Sequence, residues 1–167
     1  MKKIIFLSSI GPKIGIGHYK RSKIASNALR KKNYLIDFFA LVNSSVNKNL
    51  FFASKFFLFE KISSEFITFI KNNHFDAICF DLSKHHINID IKNILSYLKT
   101  VNIKIISIDP IPGLERYIDL LYVPSFLKPK ITKQNIPGRM VYGWDCYLLG
   151  IKKKNYFFRY INTYWRF

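Results

Sequence analysis

A chain of 167 residues is long enough for one α/β domain with a real core and short for two such domains side by side. Apolar residues make up 49% of it, including 16 Phe and 10 Tyr, which excludes a disordered chain. The 27 Lys and Arg against 10 Asp and Glu give a formal charge of +17, which predicts attraction to phosphates, anionic lipid or nucleic acid without selecting among them.

The chain opens on Lys3 to Ser8, a short apolar run bounded by Ser, Gly and Pro, which reads as a buried parallel strand. Ser9 to Gly17 follows as a loop carrying Gly11, Pro12, Gly15 and Gly17. From His18 to Lys32, Ile24, Ala25, Ala28 and Leu29 recur at helical spacing, and Asn33 is placed to stop the helix in the left-handed conformation. Strand-like runs recur at Tyr34 to Leu41, Phe56 to Phe59, Ala77 to Asp81, Ile103 to Ile108 and Leu120 to Val123, with helical patterns at Ile62 to Asn72 and Ile89 to Thr100. This alternation predicts an α/β, Rossmann-like parallel sheet with helices on both faces. Asn43 to Asn49 is a polar break, and the prolines from Pro110 to Pro137 predict an extended, loop-rich last third ending in a short apolar piece near Met140 to Tyr142. The domain is expected to span residues 1–150. Residues 151–167 form a basic, aromatic tail or inter-domain helix, a composition that also suits peripheral contact with an anionic inner-membrane surface.

Cys79 and Cys146 stand alone, which excludes a disulfide scaffold and fits a reducing cytoplasm. No segment approaches the roughly 18 uninterrupted apolar residues of a spanning helix. The lysines are scattered and no recognition motif accompanies them, so nucleic acid is not the expected partner.

In a doubly wound sheet, ligands bind beyond the carboxyl ends of the strands, where the turn from Gly11 to Gly17 falls. Glycines let backbone approach a ligand, and the following helix start offers N–H groups and a positive dipole end to an anion. The spacing is neither G-x-G-x-x-G nor a Walker loop. His18, at the helix start, is the leading candidate for chemistry, since the positive helix end disfavours imidazolium and keeps the ring able to accept a proton; the competing reading is a helix cap. Arg21 either holds a phosphate or fixes the loop. Asp81 and Asp109, at strand ends, either meet ligand or cap the next helix. His85 and His86, with Asp90 nearby, would need a special turn to share a metal, because neighbours on an extended segment point apart. Neither a metal nor a cofactor is expected. Cys79 reads as inert core, and Trp144 with Asp145 as a hinge or a tight turn.

The stretch Gly15-Ile16-Gly17-His18-Tyr19-Lys20-Arg21 resembles the G-x-G-H-x-x-R motif of the family that contains the UDP-sugar hydrolase of pseudaminic acid biosynthesis and spore-coat polysaccharide proteins. More distantly it is similar to the amino-terminal domain of the transferase that makes lipid II. Phe75 to Asp81, Ile105 to Asp109, Tyr117 to Leu121 and Tyr142 to Leu149 resemble later segments of that family in the same order. The resemblance implies the amino-terminal half of a glycosyltransferase-B fold, which reaches the sugar of a UDP-sugar while a second Rossmann-like domain, here expected on another chain, holds the nucleotide. It also implies His18 as the base, with Gly15, Gly17, Arg21, Asp81 and Asp109 around the substrate. Hydrolysis at the anomeric carbon is the leading expectation; an acceptor domain of a glycosyltransferase and a non-catalytic split or truncated subunit are the alternatives. Leu82 and Ser83 follow Asp81 where the hydrolase would carry a Tyr two residues on.

Overall fold

Seven runs rich in Ile, Leu, Phe, Val and Tyr become strands: β1 (Lys3–Ile10), β2 (Leu35–Val42), β3 (Phe56–Phe59), β4 (Ala77–Asp81), β5 (Lys104–Ile108), β6 (Leu120–Val123) and β7 (Met140–Tyr142). The computed structural model describes residues 1–11, 14–42, 56–59, 64–87, 90–125 and 127–143, with backbone alone at 38–42, 56–59 and 64. The polar break from Asn43 to Asn49, the pair Trp144 and Asp145, Cys146, and the basic aromatic tail lie outside the described residues.

The strands form one sheet in the order β3-β2-β1-β4-β5-β6-β7, and every pairing is parallel. Parallel neighbours need crossover connections. Among the described residues three contain α-helices: α1 (Gly17–Arg30) joins β1 to β2, α2 (Ser64–Asn73) precedes β4, and α3 (Asp90–Thr100) precedes β5. The chain winds outward from β1 through β2 to β3, then returns to lay β4 on the other side of β1. That reversal makes the β1/β4 boundary the switch point of a Rossmann-like sheet, where a crevice opens at the carboxyl ends.

Side-chain alternation sorts the core into two layers. Ile4, Phe6, Ile10, Cys79, Ile106, Ile108 and Tyr122 pack with Tyr19, Ala25 and Leu29 of α1 on one face. Ile5, Leu7, Ile78, Phe80, Ile105 and Leu121 pack with Phe66 and Ile70 of α2 and with Ile91, Ile94, Leu95 and Leu98 of α3 on the other. Helices therefore cover both faces, and the central strands are buried on both, which is why β1 and β4 read as continuous apolar runs.

Two helices stop by the same device. Asn33 and Asn102 take positive φ of 64° and 56°, and the residue after each donates its N–H five residues back, Tyr34 to Leu29 and Ile103 to Leu98. These are Schellman closures with Asn in the place glycine usually takes, and the Asn33 stop is the one expected from sequence. Several element ends differ from expectation by one or two residues; β1 runs two residues beyond Ser8, because Ser9 and Ile10 pair with Leu41 and Val42. Polar Ser9 interrupts the apolar pattern without interrupting the ladder.

Candidate functional site

The site is built where β1, β4 and β5 end. Gly11 leaves β1 and its carbonyl accepts from the N–H of Ile14 (3.0 Å) and of Gly15 (2.7 Å), closing a tight turn. Gly15 has φ of +73°, a conformation that strains any residue with a Cβ. Gly17 is different: it begins α1 in ordinary helical space, and a Cβ there meets nothing within 4 Å. The helix start has no side-chain cap and no acidic residue in its first turn, so its positive end is unopposed by its own side chains.

Asp81 is the last residue of β4 and is fully buried. Ala77, Cys79 and Asp81 share one face of the strand, and the first two belong to the layer under α1, so Asp81 points at that helix. His18, Arg21 and Ser22 stand at i, i+3 and i+4 on α1, the spacing that puts three side chains on one face. All three reach the carboxylate. His18 Nδ1 lies 2.6 Å from Oδ1, Arg21 Nε lies 3.0 and 2.8 Å from Oδ1 and Oδ2, and Ser22 Oγ donates to Oδ2 at 3.0 Å. A buried carboxylate is stable only with such donors. Asp81 is thus a receptor for α1 rather than a cap for the next turn, whose N–H groups are met by Ser83 instead.

The carboxylate is acceptor-only, so Nδ1 of His18 carries the hydrogen. Arg21 also brings an amino group to 3.0 Å from Nδ1, but with that nitrogen protonated the contact is two donors sharing the Asp81 oxygen. In the uncharged ring the lone pair then sits on Nε2, which makes no hydrogen bond among the described residues. The ring is partly exposed, at 22% of its side chain, as a group that meets a ligand must be.

Asp109 follows β5 and completes the cluster: Arg21 donates from the same terminal nitrogen to Asp109 Oδ2 at 2.5 Å. Its φ of 77° is unusual for a residue with a side chain. The conformation is held from both sides, its N–H donating to the Tyr122 carbonyl and its own carbonyl accepting from Ser107 Oγ at 2.7 Å. Burial opposes the Arg21 charge, but hydrogen bonding and charge from Asp81, then from Asp109, outweigh it and raise its pKa above the ordinary guanidinium value. Arg21 is therefore matched by two carboxylates of its own chain.

The structure brings together His18, Arg21, Asp81 and Asp109 and sets Gly15 and Gly17 on the rim beside them. Sequence reasoning missed Ser22, whose signal was its place four residues after His18. It also missed a second polar pair across the sheet. Ser9 points to the face opposite Ser8, where its Oγ accepts from the Ser83 N–H and is hydrogen-bonded to His86 Nδ1 at 2.8 Å. The expectation of an extended segment at His85 and His86 is corrected: they belong to a 3₁₀ turn, Lys84–His86, nucleated by Ser83. His86 is buried, and its Nε2 has no hydrogen-bond partner. Burial, then the charges of His85 and His18, lower its pKa. Among the described residues no group of three or more His, Cys, Asp or Glu is arranged to hold a metal ion. Cys79 is fully buried, and burial followed by the Asp81 charge pushes its thiol pKa well up, as befits an unreactive core residue. Among the described residues no helix is long and apolar enough to cross a membrane.

A shallow concavity lined by Lys71, His74, Phe75, Tyr97 and Val101 lies between the ends of α2 and α3. It sits at the amino ends of the strands, the opposite side of the sheet from this cluster.

No family model matches the chain, and no curated protein matches it. Among solved structures, the homoserine dehydrogenase of S. aureus is similar at 17% identity and a TM-score of 0.41, over 65% of this chain and 27% of that one. A likeness so remote carries no functional argument; the strand order and register carry the fold.

Proposed function

We propose that this domain forms the sugar side of a nucleotide-sugar site and acts as a UDP-sugar hydrolase in surface-glycan synthesis, as the amino-terminal half of a glycosyltransferase-B arrangement. The observation that supports it is the contact of His18 Nδ1 with buried Asp81, 2.6 Å long. This contact fixes the ring and leaves Nε2 as the nitrogen able to accept a proton at the carboxyl edge of the sheet.

In this reading a water attacks the anomeric carbon while His18 Nε2 takes its proton. The bond from that carbon to the diphosphate oxygen breaks with its electron pair, and UDP leaves with the free sugar as the other product. Asp81 stabilises the imidazolium that forms, as a carboxylate behind a catalytic histidine does. The start of α1, which has no side-chain cap and no acidic residue in its first turn, favours the negative charge that develops on the leaving group. Arg21 is already matched by Asp81 and Asp109. Its engagement favours a diphosphate held chiefly by a second Rossmann-like domain, and gives Arg21 the task of fixing Asp81. The glycosyltransferase alternative uses the same nitrogen on an acceptor hydroxyl in place of water. A non-catalytic subunit, completing another chain's cleft, is the reading left if the imidazole proves dispensable.

The test is turnover of UDP-sugars by the domain assembled with its nucleotide-binding partner domain, compared between wild type and His18→Asn. The variant keeps the fold and loses at least about a hundredfold in kcat, the usual contribution of a general base. Unchanged turnover rejects the catalytic assignment, and absence of any UDP-sugar binding in calorimetry rejects the substrate class.

A further inference from the structure

The parallel topology gathers charge on the edge of the sheet opposite the His18 cluster. The strands start there, and the described crossover helices end there, because a helix between two parallel strands runs back along them. Lysines that look scattered in sequence are therefore neighbours in space. Lys31 and Lys32 follow α1, Lys71 lies in the last turn of α2, and Lys104 opens β5. Among the described residues none of these four meets a carboxylate, whereas Asp76, Asp37 and Asp119, near the same edge, are each engaged by another lysine: Lys2, Lys3 and Lys99. The carboxyl end of a helix carries roughly half a negative charge, so α1, α2 and α3 together offset less than half of the four ammonium groups. Helix dipoles favour cations at such ends, which accounts for Lys71 but not for Lys104 at the start of a strand.

Backbone contacts make the edge continuous. The Leu35 N–H donates to the Lys2 carbonyl at 2.9 Å, and the Lys104 N–H donates to the Asp76 carbonyl at 3.0 Å. Asp76 in turn lines the concavity between α2 and α3, where Lys71 stands 5.2 Å over the Tyr97 ring and the rest of the lining is largely apolar. Among these lysines two apolar side chains are left in solvent, Leu35 at 49% and Val101 at 42% exposure. Either alone would be ordinary. Ammonium groups around an apolar concavity, with apolar side chains between them, match headgroup phosphates and the hydrocarbon just beneath them. A nucleic acid, bound through phosphates and stacked bases, would leave Leu35 and Val101 without a role.

We propose that this edge docks the protein on an anionic bilayer, with Lys31, Lys32, Lys71 and Lys104 against the lipid phosphates and Leu35 and Val101 at the acyl boundary. β1 is eight residues long, so the other end of the sheet stands roughly 25 Å from the bilayer surface. The crevice that holds His18 then faces water, open to a soluble ligand and to a second domain. The inference goes beyond the proposed function and uses none of its residues, so either can fail alone.

The test is flotation of the full chain with vesicles of phosphatidylcholine containing about 30% phosphatidylglycerol, and with phosphatidylcholine alone, at low salt. The wild type floats with the anionic vesicles only. One lysine at an anionic surface brings roughly a fivefold gain in partitioning, so changing all four to Gln lowers it by on the order of a hundredfold. Lys31→Gln with Lys32→Gln, two exposed positions whose change leaves the core untouched, lowers it by on the order of tenfold. A charge-matched control, Lys20→Gln, Lys84→Gln, Lys92→Gln and Lys128→Gln combined, all exposed, lowers it by less than about fivefold. Leu35→Ser with Val101→Ser, which leaves the charge unchanged, lowers partitioning by about fivefold and does not alter affinity for a single-stranded oligonucleotide. Equal losses in the two fourfold lysine variants mean attraction by net charge alone and overturn the proposal. So does a wild type that fails to float, or binding that survives in the fourfold edge variant, which puts the contact elsewhere in the chain. Unchanged partitioning of the Leu35 and Val101 variant also overturns it, leaving attraction to phosphate of the kind a nucleic acid would satisfy.

Discussion

Replacing Asp81 with Asn tests how far the buried carboxylate organises the domain. The substitution keeps volume and shape but takes a charge from a site with no solvent contact, leaving Arg21 with Asp109 alone and His18 Nδ1 facing an amide. Removing one partner of a buried ion pair costs roughly 3–5 kcal/mol. The retained Asp109 contact and the 20% exposure of the Arg21 side chain reduce this to about 2–3 kcal/mol, since part of the stranded charge is still matched and part is hydrated. In a domain of this size that corresponds to a Tm lowered by roughly 5–10 °C. Urea unfolding followed by circular dichroism measures it, with the slope m unchanged if the fold is intact. A double-mutant cycle with Arg21→Met isolates the pair, and the two losses together should fall short of their sum by at least about 1 kcal/mol. A loss below about 0.5 kcal/mol for Asp81→Asn, or strict additivity in the cycle, refutes the argument that this carboxylate holds α1 to β4.

The remaining predictions concern backbone and protonation. Gly15→Ala destabilises by about 1–2 kcal/mol because Ala at φ of +73° is strained, whereas Gly17→Ala is neutral or stabilising by up to about 1 kcal/mol, since its helical conformation and open surroundings accept a Cβ; thermal unfolding of both variants decides, and equal losses contradict the distinction. For His86, the pKa in the folded state is lowered by burial, so the unfolded chain binds the proton more readily. The stabilising contribution is therefore fully present above the ordinary imidazole value of about 6.5 and declines as pH falls below it toward the folded pKa. His86→Gln flattens that part of the stability curve measured between about pH 7 and pH 5, and an unchanged slope rejects the assignment to His86.

Chain-local physics made much of this molecule readable in advance. Apolar runs bounded by Gly, Asn and Pro gave the strands, and the Asn33 stop came from the preference of that residue for positive φ. His18 and Arg21 were legible as a pair because three residues along a helix bring side chains to one face. Asp81 and Asp109 were named through their strand-end positions and a family resemblance, but that both would converge on Arg21 was not legible. That convergence depends on β4 lying beside β1, with Ser8 opposite Asp81, and on β5 lying beside β4, facts of strand order that no local pattern encodes. The same limit hid Ser22 and the Ser9–His86 pair, whose partners are 59 and 77 residues away. The turn at His85 and His86 is hard to read from sequence because it depends on the Ser83 side chain, a local competitor to strand structure that follows directly on an apolar run.

The most direct measurement is the tautomer of the His18 ring, read from its two nitrogen shifts by NMR at a pH where the ring is uncharged. Donation from Nδ1 to Asp81 predicts the hydrogen on Nδ1 and the lone pair on Nε2, with the tautomer lost in Asp81→Asn. A hydrogen on Nε2 in the wild-type protein would contradict the account, because the nitrogen assigned to accept a proton from water would then already carry one.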